Sequence, residues 1–155
     1  MAFDHLLNHV PVKKKYIHVM RTDIDIAQSA DEYEQTLHAY FPDVHHTFDL
    51  VLLGLGEDAH VLSLFPGQQP VHEKKKWVLP AYMETLKEER ITLTAPAVNA
   101  AARTAFLVSG SDKGAALFHV LSGDHDPSLY PAQIIQPFNS QLYWWVDEAA
   151  SRDLG

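Results

Sequence analysis

The sequence predicts an α/β protein with a mostly parallel sheet and helices on both of its faces. Two apolar runs of strand length, residues 48 to 55 and 104 to 108, carry this prediction, together with the helical patterns that alternate with strands along the chain. Strands covered on both faces are apolar throughout, and alternation of strands with helices is typical of parallel sheets. The 155 residues suffice for one domain, residues 1 to 155, with a buried core.

Short elements are predicted in the first third of the chain. They are a helix over residues 3 to 10, a strand over 16 to 20, a helix that begins at the capping box Ser29-Ala30-Asp31-Glu32 and runs through Tyr40, and the strand over 48 to 55. Pro11 and Pro42 end the two helices, because proline cannot continue a helical hydrogen-bond ladder. A helix of about two turns is expected after the strand, up to Pro66.

The remaining elements continue the alternation. They are strands over residues 76 to 80, 90 to 94, 104 to 108 and 142 to 146, helices over 97 to 103, 111 to 122 and from 147 onward, and a loop over 127 to 137. Ser111 is the predicted N-cap of its helix, and Gly123 follows the helix end.

The composition excludes several classes of partner. The net charge of −8 argues against nucleic acid, because phosphate backbones select basic surfaces. The chain has no cysteine, which excludes disulfides and thiolate metal sites. No run approaches the roughly 18 apolar residues of a membrane helix, and the N-terminal residues lack the pattern of a signal peptide. A soluble cytoplasmic protein is therefore expected. If such an acidic protein binds an anionic ligand, it must place its few cations at the binding site, so the positions of Lys and Arg indicate where that site lies.

The loop Gly54-Leu55-Gly56-Glu57-Asp58-Ala59 formally fits a dinucleotide-binding pattern. Its chemistry argues against a dinucleotide, because Glu57 and Asp58 would repel a pyrophosphate at the helix N-terminus. The short segment before Pro66 is also too short for a βαβ crossover.

His60 is the candidate catalytic residue of this loop. Ligands of open α/β sheets bind at the carboxyl ends of strands, and Gly54 and Gly56 leave room for a close approach. Asp58 would orient the imidazole, the side chain whose ordinary pKa suits acid–base chemistry near neutral pH. The alternative is that Asp58 only caps a short helix and that His60 has no chemical role.

The stretch FDLVLLGLGEDAHVLSLFPG resembles the signature of the 6-phosphogluconolactonase family, whose usual form is close to DLVLLGMGEDGHTASLFPG. Later landmarks of that family follow in order, and they are Arg90-Ile91-Thr92-Leu93-Thr94, Asn99, Gly110-Ser111-Asp112-Lys113 and Trp145-Val146-Asp147. The related glucosamine-6-phosphate isomerases continue their shared core with A-F-N-E-P. This chain has S-L-F-P-G, the lactonase form, which disfavours the isomerase or deaminase activity.

The resemblance implies a Rossmann-like fold and hydrolysis of 6-phosphoglucono-1,5-lactone to 6-phosphogluconate. By resemblance, His60 is the base, Asp58 holds its ring, and Lys113 and Arg90 hold the substrate phosphate beside Gly54 and Gly56. No metal or organic cofactor is expected, because a lactone is already an activated ester. For Arg90 an ion pair with Glu88 or Glu89 is the alternative. Lys113 is favoured, because a cation in a first helical turn opposes the helix dipole unless it serves an anion.

Two departures from the family pattern bear on function. Ala59 replaces the family's glycine; if that glycine has a positive φ or abuts the substrate, the methyl group of alanine costs about 1 kcal/mol or blocks the approach. The family's N-terminal phosphate loop has no counterpart, so the chain resembles the C-terminal portion of the fold. We therefore expect a homodimer or a complex with a separate N-terminal half. A catalytically inactive sugar-phosphate-binding or partner subunit is the alternative to an active hydrolase.

Overall fold

The computed structural model describes residues 2–43, 45–84, 87–138 and 140–154. The helices and strands within these residues are, in chain order, α1 (Ile26–Tyr40), β1 (Val51–Leu53), β2 (Val78–Met83), β3 (Glu88–Leu93), α2 (Ala95–Asn99), β4 (Arg103–Val108), α3 (Gly114–Ser122) and β5 (Gln141–Val146). Short 3-10 turns connect them, at Lys14–Tyr16, Gln69–His72, Ser111–Lys113, Pro131–Ile134 and Arg152–Leu154, and a π-helical turn spans Phe3–Leu7. None of the described helices is long and apolar enough to cross a membrane.

The main sheet has three parallel strands in the order β1-β4-β5. Leu53 of β1 lies beside Phe106 of β4, and Phe106 lies beside Trp144 of β5. Strands β2 and β3 form a separate antiparallel hairpin. The predicted α/β fold with a parallel sheet is confirmed, and the two apolar runs form its adjacent strands β1 and β4.

One face of the main sheet, the inner face, packs into the larger core. Phe106 is fully buried and stacks on Trp144, with ring centroids 4.0 Å apart and an interplanar angle of 2°. Val98 of helix α2 and Leu117 of helix α3 belong to the same cluster. Both helices thus cover the inner face.

The opposite face, the outer face, carries large apolar side chains that remain half exposed. Leu52 of β1 is 55% exposed, Leu107 of β4 46%, and Trp145 of β5 60%. The helices expected on both faces are therefore found on the inner face in the described part of the chain. Strand β1 also lies at an edge of the sheet, because among the described strands β4 is its partner.

A smaller core joins helix α1 to the hairpin, through Leu37, Trp77 and Ala97 among others. The helix begins at Ile26 rather than at the expected capping box. Asp25 caps it, because its Oδ1 accepts hydrogen bonds from the backbone N–H groups of Ala27 and Gln28 at 3.0 Å each. Ser29 instead lies buried within the helix, and its hydroxyl donates to the carbonyl of Arg21.

Other predicted elements are wrong or displaced. Residues 17 to 20 take no part in either sheet, and the helix expected over 97 to 103 is found at Ala95–Asn99. The helix expected from residue 147 is a turn followed by the 3-10 segment Arg152–Leu154. The helix expected up to Pro66 does not form in the described segment from His60 to Pro66, because Ala59 and Leu62 have φ values of 62° and 58°, which a right-handed helix cannot accommodate.

Candidate functional site

The loop that follows β1 closes on itself through its backbone. The N–H of Gly56 donates to the carbonyl of His60 at 2.9 Å, and the N–H of Ala59 donates to the carbonyl of Gly56 at 3.0 Å. Ala59 takes the left-handed conformation that this tight turn requires, and its methyl group is buried in the larger core. The turn therefore fixes the backbone of His60 directly at the carboxyl end of the parallel sheet.

Asp58 holds the imidazole of His60. Its Oδ1 lies 2.6 Å from the His60 Nδ1 and also accepts the backbone N–H of His60 at 3.1 Å. Partial burial raises the pKa of Asp58, but the hydrogen bonds from the ring and backbone of His60 outweigh it and lower the pKa below its ordinary value. An ionised Asp58 accepts a hydrogen bond from the Nδ1–H group, so the other ring nitrogen, Nε2, is the one available as a base.

The position of the His60 ring depends on the absence of a side chain at Gly56. A Cβ atom at Gly56 would lie 2.1 Å from the Nδ1 of His60 and 2.6 Å from the Oδ1 of Asp58. The ring centroid lies 4.8 Å from that of Phe65, which is buried. At Gly54, by contrast, an added Cβ atom would meet no described atom within 4 Å beyond the adjacent residues, so this glycine faces open space.

A cavity of about 370 Å³ lies over this loop. It is lined by the end of β1, the glycine loop and one cation, and its residues are Leu52, Leu53, Gly54, Leu55, Gly56, His60, Leu62 and Lys113. The side chain of His60 is 27% exposed and that of Lys113 is 21% exposed. Asp58 contacts the ring of His60 from beside the cavity. The structure thus brings together five of the predicted site residues, namely Gly54, Gly56, Asp58, His60 and Lys113.

Lys113 reaches the cavity from the turn between β4 and α3. Its Nζ lies 3.0 Å from the Oδ2 of Asp112 and 3.7 Å from the Oε1 of Glu57. Lys113 itself is the N-cap residue of α3, and Ser111 makes no capping hydrogen bond, contrary to the prediction. An ammonium group at the start of a helix adds its charge to the partial positive charge of the free N–H groups.

Arg90 does not join this cavity. It lies on β3, its guanidinium pairs with Glu88, and it lines a different cavity of about 490 Å³ together with Arg21. The ion pair considered as the alternative for Arg90 is the one that the structure contains. The physical reason is topological, because β3 belongs to the hairpin and not to the parallel sheet.

Sequence reasoning did not assign roles to three acidic residues that contact Lys113 or the loop before it. Glu57 and Asp112 flank the ammonium group of Lys113. Asp147 binds the loop before Lys113 through the hydroxyl of Ser109 and the N–H of Gly110. The pairing of Asp112 with Lys113 could have been inferred from their adjacency, whereas the contacts of Glu57 and Asp147 depend on the fold.

The arrangement combines two chemical capabilities. An imidazole oriented by a carboxylate provides a general base at Nε2. A lysine in the same cavity provides a positive charge for an anionic group. A substrate with a reactive carbonyl and a separate anionic group matches both features.

Comparison with known proteins shows which family the chain is similar to. Residues 1–144 match the family model described as glucosamine-6-phosphate isomerases/6-phosphogluconolactonase. The chain is 34% identical over 150 residues to 6-phosphogluconolactonase of Homo sapiens, covering 96% of this chain and 58% of that protein. It is 36% identical over 158 residues to 6-phosphogluconolactonase of Nostoc sp., covering 99% of this chain and 65% of that one.

A solved structure gives the same result. The fold superposes on 6-phosphogluconolactonase from Trypanosoma brucei with a TM-score of 0.79 at 25% identity, covering 99% of this chain and 66% of that one. The chain thus spans less than two thirds of the length of the human relative, at 58%. The match of the family model over residues 1–144 shows that the chain belongs to the glucosamine-6-phosphate isomerase/6-phosphogluconolactonase family.

Proposed function

We propose that this chain is a hydrolase that converts 6-phosphoglucono-1,5-lactone to 6-phosphogluconate. The observation that carries the proposal is the convergence of the His60–Asp58 pair and Lys113 on one cavity. The names of the family and of its relatives indicate the substrate, a lactone ring with a phosphate at one end. The S-L-F-P-G form of the site segment supports hydrolysis over isomerisation.

His60 performs the proton transfers in this mechanism. Its Nε2 takes a proton from a water molecule while the water oxygen attacks the lactone carbonyl, and the resulting imidazolium is stabilised by the ionised Asp58. When the tetrahedral intermediate collapses, the bond to the ring oxygen breaks and His60 returns the proton to that oxygen. The product is the open-chain carboxylic acid, and no group on the protein is consumed.

Lys113 holds the phosphate in this proposal. The substrate phosphate would compete with Asp112 and Glu57 for the ammonium group, and charge-assisted hydrogen bonds to phosphate are stronger than neutral ones. Arg90, the other cation suggested by resemblance, would have to leave Glu88 to take part.

The proposal is tested by measuring lactone hydrolysis with the purified chain. Because the lactone opens spontaneously in water, the rate in buffer alone is subtracted at every substrate concentration. Acid release proportional to protein concentration supports the hydrolase. A rate equal to that of buffer, from a folded chain, would contradict it and favour the inactive binding subunit.

Replacing Lys113 with alanine should weaken 6-phosphogluconate binding by about 1.5–3 kcal/mol, the range for hydrogen bonds to charged groups. Calorimetric titration in phosphate-free buffer measures this loss. Lys75→Ala is the matched control, because it removes the same charge from an exposed position. Equal affinities of the wild type and Lys113→Ala would place Lys113 outside the binding site.

Replacing Ala59 with glycine should raise activity or ligand affinity. The left-handed backbone costs a non-glycine residue about 1–2 kcal/mol, and glycine relieves this strain next to His60. Lost methyl burial and unfolded-state entropy, each about 0.5–1 kcal/mol, offset the gain in stability. The unfolding midpoint should consequently change little. Turnover and thermal unfolding, measured on the same preparations, separate the two effects, and a destabilised variant without functional gain would show that Ala59 is tolerated.

We also propose that residues 1–155 form the C-terminal portion of a lactonase-like domain that works with a second polypeptide in the cytoplasm. The partner is a second copy of this chain, and a separate N-terminal half is the alternative. The half-exposed apolar outer face and the edge strand β1 support an association.

A further inference from the structure

Asp147 lies at the carboxyl end of β5 and binds the neighbouring loop. Its Oδ2 accepts the hydroxyl of Ser109 at 2.6 Å, and both of its carboxylate oxygens lie within 3.2 Å of the N–H of Gly110. Its Oδ1 also accepts the N–H of Ala150 at 2.8 Å. These hydrogen bonds lower the pKa of Asp147, that of Ser109 most strongly.

The loop that Asp147 binds is the one that presents Lys113. Gly110 has a φ of 101°, so it turns the chain sharply after β4, and its carbonyl accepts the N–H of Lys113 at 3.1 Å. The Lys113 side chain then reaches the cavity that contains His60. A continuous series of hydrogen bonds therefore leads from the end of β5 to the backbone of the cation.

Asp147 makes these contacts from an exposed position, and it contributes nothing to either apolar core. Its side-chain hydrogen bonds hold the Ser109–Gly110 loop and the short turn that leads to Ala150. No chemical step of the proposed hydrolysis uses it, because the cavity is lined by other residues.

We propose that Asp147 is a positioning residue of the anion site, which fixes the Ser109–Gly110 turn so that the ammonium group of Lys113 faces the cavity. This inference rests on the proposed function, in which Lys113 binds the substrate phosphate. The role is indirect, so replacing Asp147 should alter substrate binding and leave the proton transfer at His60 unchanged.

The first test compares Asp147→Asn with the wild type. The amide keeps the size of the side chain but loses one acceptor oxygen and the charge. We expect the KM for the lactone and the Kd for 6-phosphogluconate to rise by about 3–10-fold, since a single hydrogen bond contributes about that factor. The kcat should stay within about two-fold. Glu148→Gln, a neighbouring exposed acid with the same change of charge, should leave both constants unchanged.

The second test repeats the substitution in the Lys113→Ala background. If Asp147 acts through Lys113, Asp147→Asn should have no further effect on ligand affinity there. A merely structural role would instead reduce the affinity equally in both backgrounds, or lower kcat together with the unfolding midpoint, and either result would overturn the inference.

Titration with inorganic phosphate separates this inference from the proposed reaction. If the wild type binds phosphate, and Lys113→Ala and Asp147→Asn each weaken that binding, but the wild type does not hydrolyse the lactone, the proposed function fails and the positioning role stands. If the wild type binds neither phosphate nor 6-phosphogluconate, the anion site is absent and the inference fails. If the lactone is hydrolysed but Asp147→Asn binds both ligands like the wild type, the inference alone is wrong.

Discussion

Replacing His60 with alanine should lower lactone turnover by roughly 10²–10⁴-fold, the usual contribution of a positioned general base. The reason lies in the geometry of the site, where Asp58 engages Nδ1 at 2.6 Å and leaves Nε2 as the base. Without the imidazole, water attacks the carbonyl with no group to accept its proton. Initial rates, corrected for spontaneous opening of the lactone, measure the loss.

The fold should survive this substitution, because the His60 side chain is partly exposed and belongs to neither core cluster. His60→Asn should show a similar loss of turnover, since an amide cannot act as a base at neutral pH. Circular dichroism and thermal unfolding of the variants check that only the chemistry has changed.

Two further variants sharpen this experiment. Gly56→Ala retains His60 but places a Cβ atom 2.1 Å from the ring position, so the imidazole must move and turnover should fall as well. His46→Ala is the matched control, because His46 and Asp43 form a similar pair at 2.8 Å on the surface. Full activity of His60→Ala would remove His60 from the mechanism, and a loss in His46→Ala would show that the assay reports stability.

The parts of the fold that followed from the sequence are those determined by apolar pattern. The apolar runs over residues 48 to 55 and 104 to 108 predict buried strands, and they form the adjacent parallel strands β1 and β4. The helix expected before Pro66 was a wrong prediction. The sequence pattern does not reveal the positive φ values of Ala59 and Leu62, which prevent a helix there. Neither residue type favours that conformation, so the hydrogen bonds of the folded loop, and not local preference, impose it.

The site shows the same division between local and non-local information. Asp58 and His60 are two positions apart, so a short turn suffices to pair them, and the sequence predicts the pair. Lys113 reaches the cavity because β4 lies next to β1, which places the turns after both strands at one edge of the sheet. Arg90 lies away from this cavity because its strand pairs in a hairpin outside that sheet. The family resemblance identifies Arg90 as a matching arginine, but it does not predict the ion pair of Arg90 with Glu88.

The 155-residue chain should associate in solution through the outer face of its main sheet. Leu52, Leu107 and Trp145 are about half exposed on that face, and parallel sheets are ordinarily covered on both sides. Next to them, strand β1 has a free edge, because no described strand pairs with its backbone on the side away from β4. An exposed apolar face beside a free strand edge is a site of association.

A second copy of the chain can cover the outer face. Face-to-face packing of the two outer faces about a two-fold axis would bury Leu52, Leu107 and Trp145 of both copies in one isologous interface. An interface that replaces a domain core should bury more than roughly 2,000 Å² in total. A net charge of −8 on each copy opposes the association at long range, so added salt should strengthen the dimer.

Light scattering at micromolar concentration should therefore give a mass near twice the 17.4 kDa of one chain. Leu107→Lys should shift the chain toward the monomer, because it places a charge at the centre of the outer face. Leu129→Lys is the control, since Leu129 is similarly exposed, at 57%, but lies outside the main sheet. A wild-type mass of one chain at every concentration would contradict self-association.

If such a monomer formed a stable complex with an added N-terminal half of a relative, the outer face would be the docking surface for that half. A chain that binds neither a second copy nor the N-terminal half would show that the outer face stays exposed to water in the folded monomer. Its apolar area would then be too small to drive association.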